Sequence, residues 1–144
     1  MSSSSAPAGT DQLSRLDANN AARGRHAVHD RTLLSEIPGV EVPFGEMPPD
    51  AVSAFHLQEI LLPTGTDRRA VREAMLAAGV QTSVHYPPIH TFEAFRALAD
   101  RRPLPRTDAV ADRLLTLPLY PHLHDDQIAR VVESLGTAIA QAAA

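Results

Sequence analysis

No lysine occurs in the 144 residues; all thirteen permanently basic residues are arginine. The chain has no side-chain amine to condense with a carbonyl, and an arginine guanidinium, always protonated, does not replace one. Cysteine is also absent, which removes disulfides, thiolate metal sites and a thiol nucleophile, and fits a reducing compartment. There is no tryptophan, and aromatic residues make up 4 % of the chain, so Ala and Leu must build an aliphatic core. No apolar run approaches the roughly 20 residues of a membrane span. The start Met1-Ser-Ser-Ser-Ser has neither the basic nor the apolar segment of a signal peptide. The expectation is a cytoplasmic chain. A net charge of −4 argues against a nucleic-acid or anionic-membrane surface.

What is present suits one domain with a real core, at 44 % apolar residues. Residues 1–9 are Ser, Ala, Pro and Gly and read as a disordered tail. Residues 10–36 read as a long linker-type helix stopped by Pro38-Gly39. Its apolar stripe (Leu13, Leu16, Ala27, Leu33, Leu34) is thin, and Asn19, Asn20 and Gly24 weaken it. Residues 37–144 read as the folded domain. Strands are expected over 40–44, 53–62 and 80–86 by alternation. Thr66 is placed to cap a helix over 67–78, with Gly79 in the left-handed position that ends it. Further helices are expected over 91–99, 107–115 and 125–141, the last with a clean stripe of Ile128, Val131, Val132, Leu135 and Ile139. The fold class is α+β: a two-layer small domain of about three mainly antiparallel strands with helices on one side, preceded by the long N-terminal helix.

Four segments carry a resemblance. They are Leu16-Asp-Ala-Asn-Asn20-Ala-Ala-Arg23, Ser53-Ala-Phe55-His56-Leu57, the run from Arg68 to His90 that ends His85-Tyr86-Pro-Pro-Ile-His90, and Leu117-Pro-Leu-Tyr-Pro121 with its following helix. In this order they resemble the C-terminal small domain of the DegT/DnrJ/StrS family of pyridoxal-phosphate sugar aminotransferases. The resemblance implies a fold-type-I enzyme that moves an amino group from glutamate to a keto sugar-nucleotide. It also implies that the large domain supplies the Schiff-base lysine and the cofactor cradle, so this chain has no catalytic or cofactor-binding residue to assign. Pyridoxal phosphate is implied only with a large-domain partner. The small domain of such enzymes closes over the site and excludes water. By resemblance, His85, Tyr86 and His90 are the substrate-pocket candidates, facing cofactor and nucleotide-sugar. The bland alternative packs Tyr86 on the domain and leaves both histidines on the surface.

Other patterns point less far. Seven histidines raise a metal site, but no spacing matches a ligand frame, and none is assigned. His56 reads as a structural hydrogen-bonding group. Arg68, Arg69 and Arg72 form a basic helix face that pairs with Glu73 or Asp67 or contacts a phosphate. Arg101 and Arg102 sit in a loop within reach of a diphosphate. Two accounts stand. The chain is a small domain acting with a large-domain aminotransferase subunit, or it is a non-catalytic binding or regulatory module that associates with itself or with an intact aminotransferase.

Overall fold

The computed structural model describes residues 5–45, 48, 50–95 and 103–142. Among them the order is α1 (Ser5–Ser14), α2 (Leu16–Leu34), β1 (Gln58–Leu61), α3 (Arg68–Ala77), α4 (Pro105–Arg113), β2 (Leu114–Leu117) and α5 (Asp125–Ala142). Two 3-10 turns, Ile89–Thr91 and Glu93–Phe95, stand where a helix over 91–99 was expected; residues 96–102, with Leu98, Arg101 and Arg102, lie outside the described part.

β1 and β2 pair antiparallel, Gln58 opposite Leu117 and Leu61 opposite Leu114. Two further extended segments join by one bridge each, Glu41 to Leu61 and Ser83 to Thr116. The spatial order is thus 41, β1, β2, 83. The expected strands over 40–44 and 80–86 shrink to these bridges: Pro43 has no N–H to donate to a ladder, the Val80 amide is given to the Met75 carbonyl, and Pro87-Pro88 stop any continuation. The second full strand, β2, forms where the sequence suggested a helix end running into a proline-extended segment.

Directly opposed residues point to the same face of an antiparallel pair. Ile60, Leu62, Leu115, Leu117 and Val80 therefore share one face, and there they meet Val71 and Met75 of α3, Val131, Val132, Leu135 and Ala138 of α5, and Leu34 of α2. This is the expected two-layer α+β arrangement, with its core on one side of the sheet. Leu115, Ile60 and Leu135 are fully buried there.

The N-terminal helix is split rather than continuous. The Ser14 hydroxyl donates to the Asp11 carbonyl at 2.7 Å and the Arg15 amide to the Gln12 carbonyl at 3.2 Å. Such local bonds compete with the helical ladder and break it at residue 15. α1 reaches back to Ser5, inside the segment read as tail; Pro7 fits because a first turn needs no amide donor there. In α2, Gly24 has a use beyond tolerance: a Cβ there would lie 3.0 Å from the Phe55 ring. Arg23 donates to the Ala54 carbonyl at 3.2 Å and to the Asn20 side chain. Residues 53–57 thus leave the sheet to lie on α2, with Phe55 at φ 47°, which is why β1 starts only at Gln58.

α3 is capped by Asp67, not Thr66: its carboxylate accepts from the Arg69 and Ala70 amides at 2.8 and 3.2 Å. At its other end Gly79 has φ 80°. The Gly79 and Val80 amides donate to Leu76 and Met75 at 2.9 and 2.8 Å, a Schellman ending.

The arginines are largely used as clips. Arg113 donates to the Leu62 carbonyl at 2.5 Å and to Glu41 at 2.6 Å; Arg130 donates to Ala78 at 2.8 Å and Arg31 to Gly45 at 2.8 Å. A planar fork of donors suits several carbonyls at once, where a lysine ammonium would not be preorganised. One carboxylate has no such help. Asp30, on the inner face of α2 with Ala27 and Leu34, is 1 % exposed, and its Oδ1 has no hydrogen-bond partner among the described residues. Burial pushes its pKa up to about 7, against a smaller opposing pull from His29.

Candidate functional site

Along 80–86 the pleat divides the side chains between two faces. Val80 and Thr82 are buried toward the helices, while Ser83 and His85 fall on the opposite face with Thr116. The bridge fixes this register: the Ser83 amide donates to Thr116 at 3.1 Å and the Thr116 amide to Ser83 at 2.8 Å. Two residues beyond Ser83, His85 returns to the same face. Its Nδ1 lies 3.1 Å from the Thr116 hydroxyl and 3.3 Å from that of Ser83.

Tyr86 follows across a cis peptide. Its ring meets the His85 ring edge to face, centroids 5.0 Å apart, and is 71 % exposed. Pro87-Pro88 then turn the chain away from the sheet. The Thr91 hydroxyl donates to the Pro88 carbonyl at 2.7 Å, closing a 3-10 turn that carries His90. His90 Nε2 sits 2.8 Å from Asp108 Oδ1 in the first turn of α4. A groove of about 360 Å³ runs between this segment and α4, lined by Tyr86, Pro88, Arg106, Thr107, Val110 and Leu114 among others.

The three candidates therefore lie along one segment, His85 on the sheet face away from the core and Tyr86 and His90 on the loop that leaves it, each in a different environment. Tyr86 does not pack on the domain. His85 and His90 are half-buried and held by partners rather than free on the surface. Composition and spacing gave no warning of those partners, Ser83, Thr116 and Asp108. Only the alternation over 80–86 carried a signal, and it reached Ser83 alone.

The remaining sequence candidates disperse. His56, His122 and His124 are exposed. His124 begins α5, its amide donating to the Gln127 side chain at 3.0 Å, half of a capping box. His26 contacts the Pro121 carbonyl at 3.3 Å and His29 lies 3.5 Å from Asp125. Among the described residues no three histidine or acidic side chains converge to hold a metal. The basic face of α3 is divided: Arg69 lies 4.0 Å from Glu73, whereas Arg68 donates to the Ala111 and Leu114 carbonyls and Arg72 to that of Thr82. No described helix is long and apolar enough to cross a membrane.

Known proteins of similar sequence and shape agree with one another. Over 126 residues the chain is 34 % identical to the erythromycin biosynthesis sensory transduction protein EryC1 of Saccharopolyspora erythraea, covering 86 % of this chain and 33 % of that protein. It is 32 % identical over 127 residues to the dTDP-3-amino-3,4,6-trideoxy-alpha-D-glucose transaminase of Streptomyces venezuelae, covering 86 % and 32 %. The aminotransferase TlmJ of Streptoalloteichus hindustanus superposes with a TM-score of 0.83 at 25 % identity, covering 94 % of this chain and 36 % of that one. The chain thus spans about a third of the length of the curated relatives it matches. Residues 1–136 match the sequence pattern of one family, and with these likenesses the chain belongs to the DegT/DnrJ/EryC1/StrS aminotransferase family.

Proposed function

We propose that this chain is the small, C-terminal domain of a nucleotide-sugar aminotransferase and acts beside a large domain that carries the cofactor lysine, in the same polypeptide or a separate one. The residues here do not fit pyridoxal phosphate. There is no lysine to hold it, and Arg23, Arg31, Arg68, Arg72, Arg113 and Arg130 are engaged with backbone carbonyls. No chemical step is therefore assigned to this chain. Its part is to bind, orient and exclude water.

One observation carries the reading: His85 stands on the sheet face away from the helix layer, held by Ser83 and Thr116, and Tyr86 and His90 follow on the loop that leaves it, His90 held by Asp108. Tyr86 brings an open ring and a phenol to cover a ligand, and the two imidazoles bring hydrogen bonds to a sugar. Closing such a loop over the reacting centre strengthens every electrostatic interaction inside it. The substrate class is a nucleotide sugar, as the name of the S. venezuelae relative states for that enzyme. The exposed Leu13, Leu16 and Val28 of α1 and α2 supply a second contact surface for the large domain.

The test is reconstitution. The purified chain mixed with pyridoxal phosphate is expected to give no transamination. Adding a family large domain that lacks its own C-terminal third is expected to give it. Turnover by the chain alone refutes the proposal. A stable homodimer that ignores every large domain refutes it too, in favour of a self-associating binding module.

A further inference from the structure

We infer that Asp108 is a positioning residue for His90, committing that imidazole to meet a ligand as a hydrogen-bond acceptor through Nδ1. The inference rests on the reading above that the 85–90 loop faces the substrate. The two residues belong to different elements, the 3-10 turn after Pro87-Pro88 and the first turn of α4, yet Nε2 and Oδ1 are 2.8 Å apart. A carboxylate accepts hydrogen bonds and does not donate them. Nε2 must then carry a proton; in the neutral ring the lone pair stands on Nδ1, whereas an imidazolium donates from both nitrogens. Nδ1 has no hydrogen-bond partner among the described residues.

His85 is arranged the other way round. Its Nδ1 is the engaged atom, and both partners are hydroxyls, which donate or accept as required. His85 can adapt to a donor or an acceptor; a neutral His90 cannot. A neutral Nδ1 selects a group with a hydrogen to give and has nothing to offer an anionic phosphate oxygen. Within a nucleotide sugar, the neutral His90 accordingly meets a hexose hydroxyl rather than the diphosphate. The tether also fixes where the ring stands. It joins the loop to α4, and these two elements form the walls of the groove beneath Tyr86.

Nitrogen-15 NMR of the histidine rings in the full chain tests the tether without any activity. A slowly exchanging Nε2 proton on a neutral His90 is expected in the native sequence and in Asp108→Asn, whose amide oxygen still accepts, and its loss is expected in Asp108→Ala. A ring protonated at Nδ1, whether neutral or as the imidazolium, or a protected Nε2 proton that survives Asp108→Ala, overturns the inference. In the reconstituted complex, Asp108→Ala and His90→Ala are each expected to raise KM for the nucleotide sugar roughly fivefold. Asp108→Asn should restore it, and the double variant should be no worse than either single one. If His90→Ala raises KM and Asp108→Ala does not, the positioning role is overturned. If His90→Ala leaves KM unchanged while the NMR tether is present, the substrate-facing reading fails instead.

Discussion

Residues 80–86 serve two regions at once, and the contrast between them is instructive. Val80 and Thr82 point into a closed aliphatic layer, where each position is fixed by what it must fill. Ser83 and His85, one step away on the same backbone, point out of it and are fixed by hydrogen bonds to each other and from His85 to the Thr116 hydroxyl. On the packed face, cost tracks volume; on the open face it tracks hydrogen-bond direction. A substitution on one face should therefore disturb stability and spare binding, and on the other the reverse.

The contrast can be broken most forcefully from the packed side. Leu115→Ala, at a fully buried position, is expected to cost about 2–5 kcal/mol in urea unfolding, from lost transfer energy and a residual cavity. A loss below about 1 kcal/mol would mean that the helix layer is not closed.

Asp30 tests the same layer by pH. Its carboxyl keeps its proton up to about pH 7 when folded, against 3.8 when unfolded. The folded state therefore binds more protons across that window, and stability falls as pH rises from about 4 to 7 and stays reduced above it. Asp30→Asn does not titrate, so it should match the native chain near pH 4. By pH 8 it should exceed it by up to about 4 kcal/mol. A pH-independent difference would contradict the burial.

Gly79→Ala forces an L side chain into a left-handed backbone at φ 80° and brings its Cβ 3.1 Å from the Arg130 guanidinium. A loss of about 1–2 kcal/mol is expected by thermal unfolding. The smallest expected stability effect belongs to the open face. Tyr86→Ala should change stability by less than about 0.5 kcal/mol, while impairing turnover of the reconstituted complex. Equal losses of stability at Tyr86 and Leu115 would erase the distinction between the faces.

The packed face was largely legible in the sequence because burial leaves a periodic trace. The stripe Ile128, Val131, Val132, Leu135 announced α5, and Gly79 announced the end of α3. Strand limits were less legible. Pro43 and the helix-ending bond of Val80 left the expected strands as single bridges, and β2 was hidden because Leu114–Leu117 offers a short apolar run that fits a helix end equally well. The positive φ of Phe55 and its seat on Gly24 had no local signal, since they depend on a helix some thirty residues away. The candidate site was legible only as a resemblance over His85 to His90. Hydrogen bonds such as His90 to Asp108 join residues 18 apart in sequence, and no periodicity encodes them.

Borohydride trapping of the chain, pyridoxal phosphate and a family large domain, followed by peptide mass spectrometry, tests the central claim most directly. The account predicts reduced cofactor on the large domain's lysine and none on side chains of this polypeptide. Cofactor fixed to a side chain of residues 1–144 would contradict it.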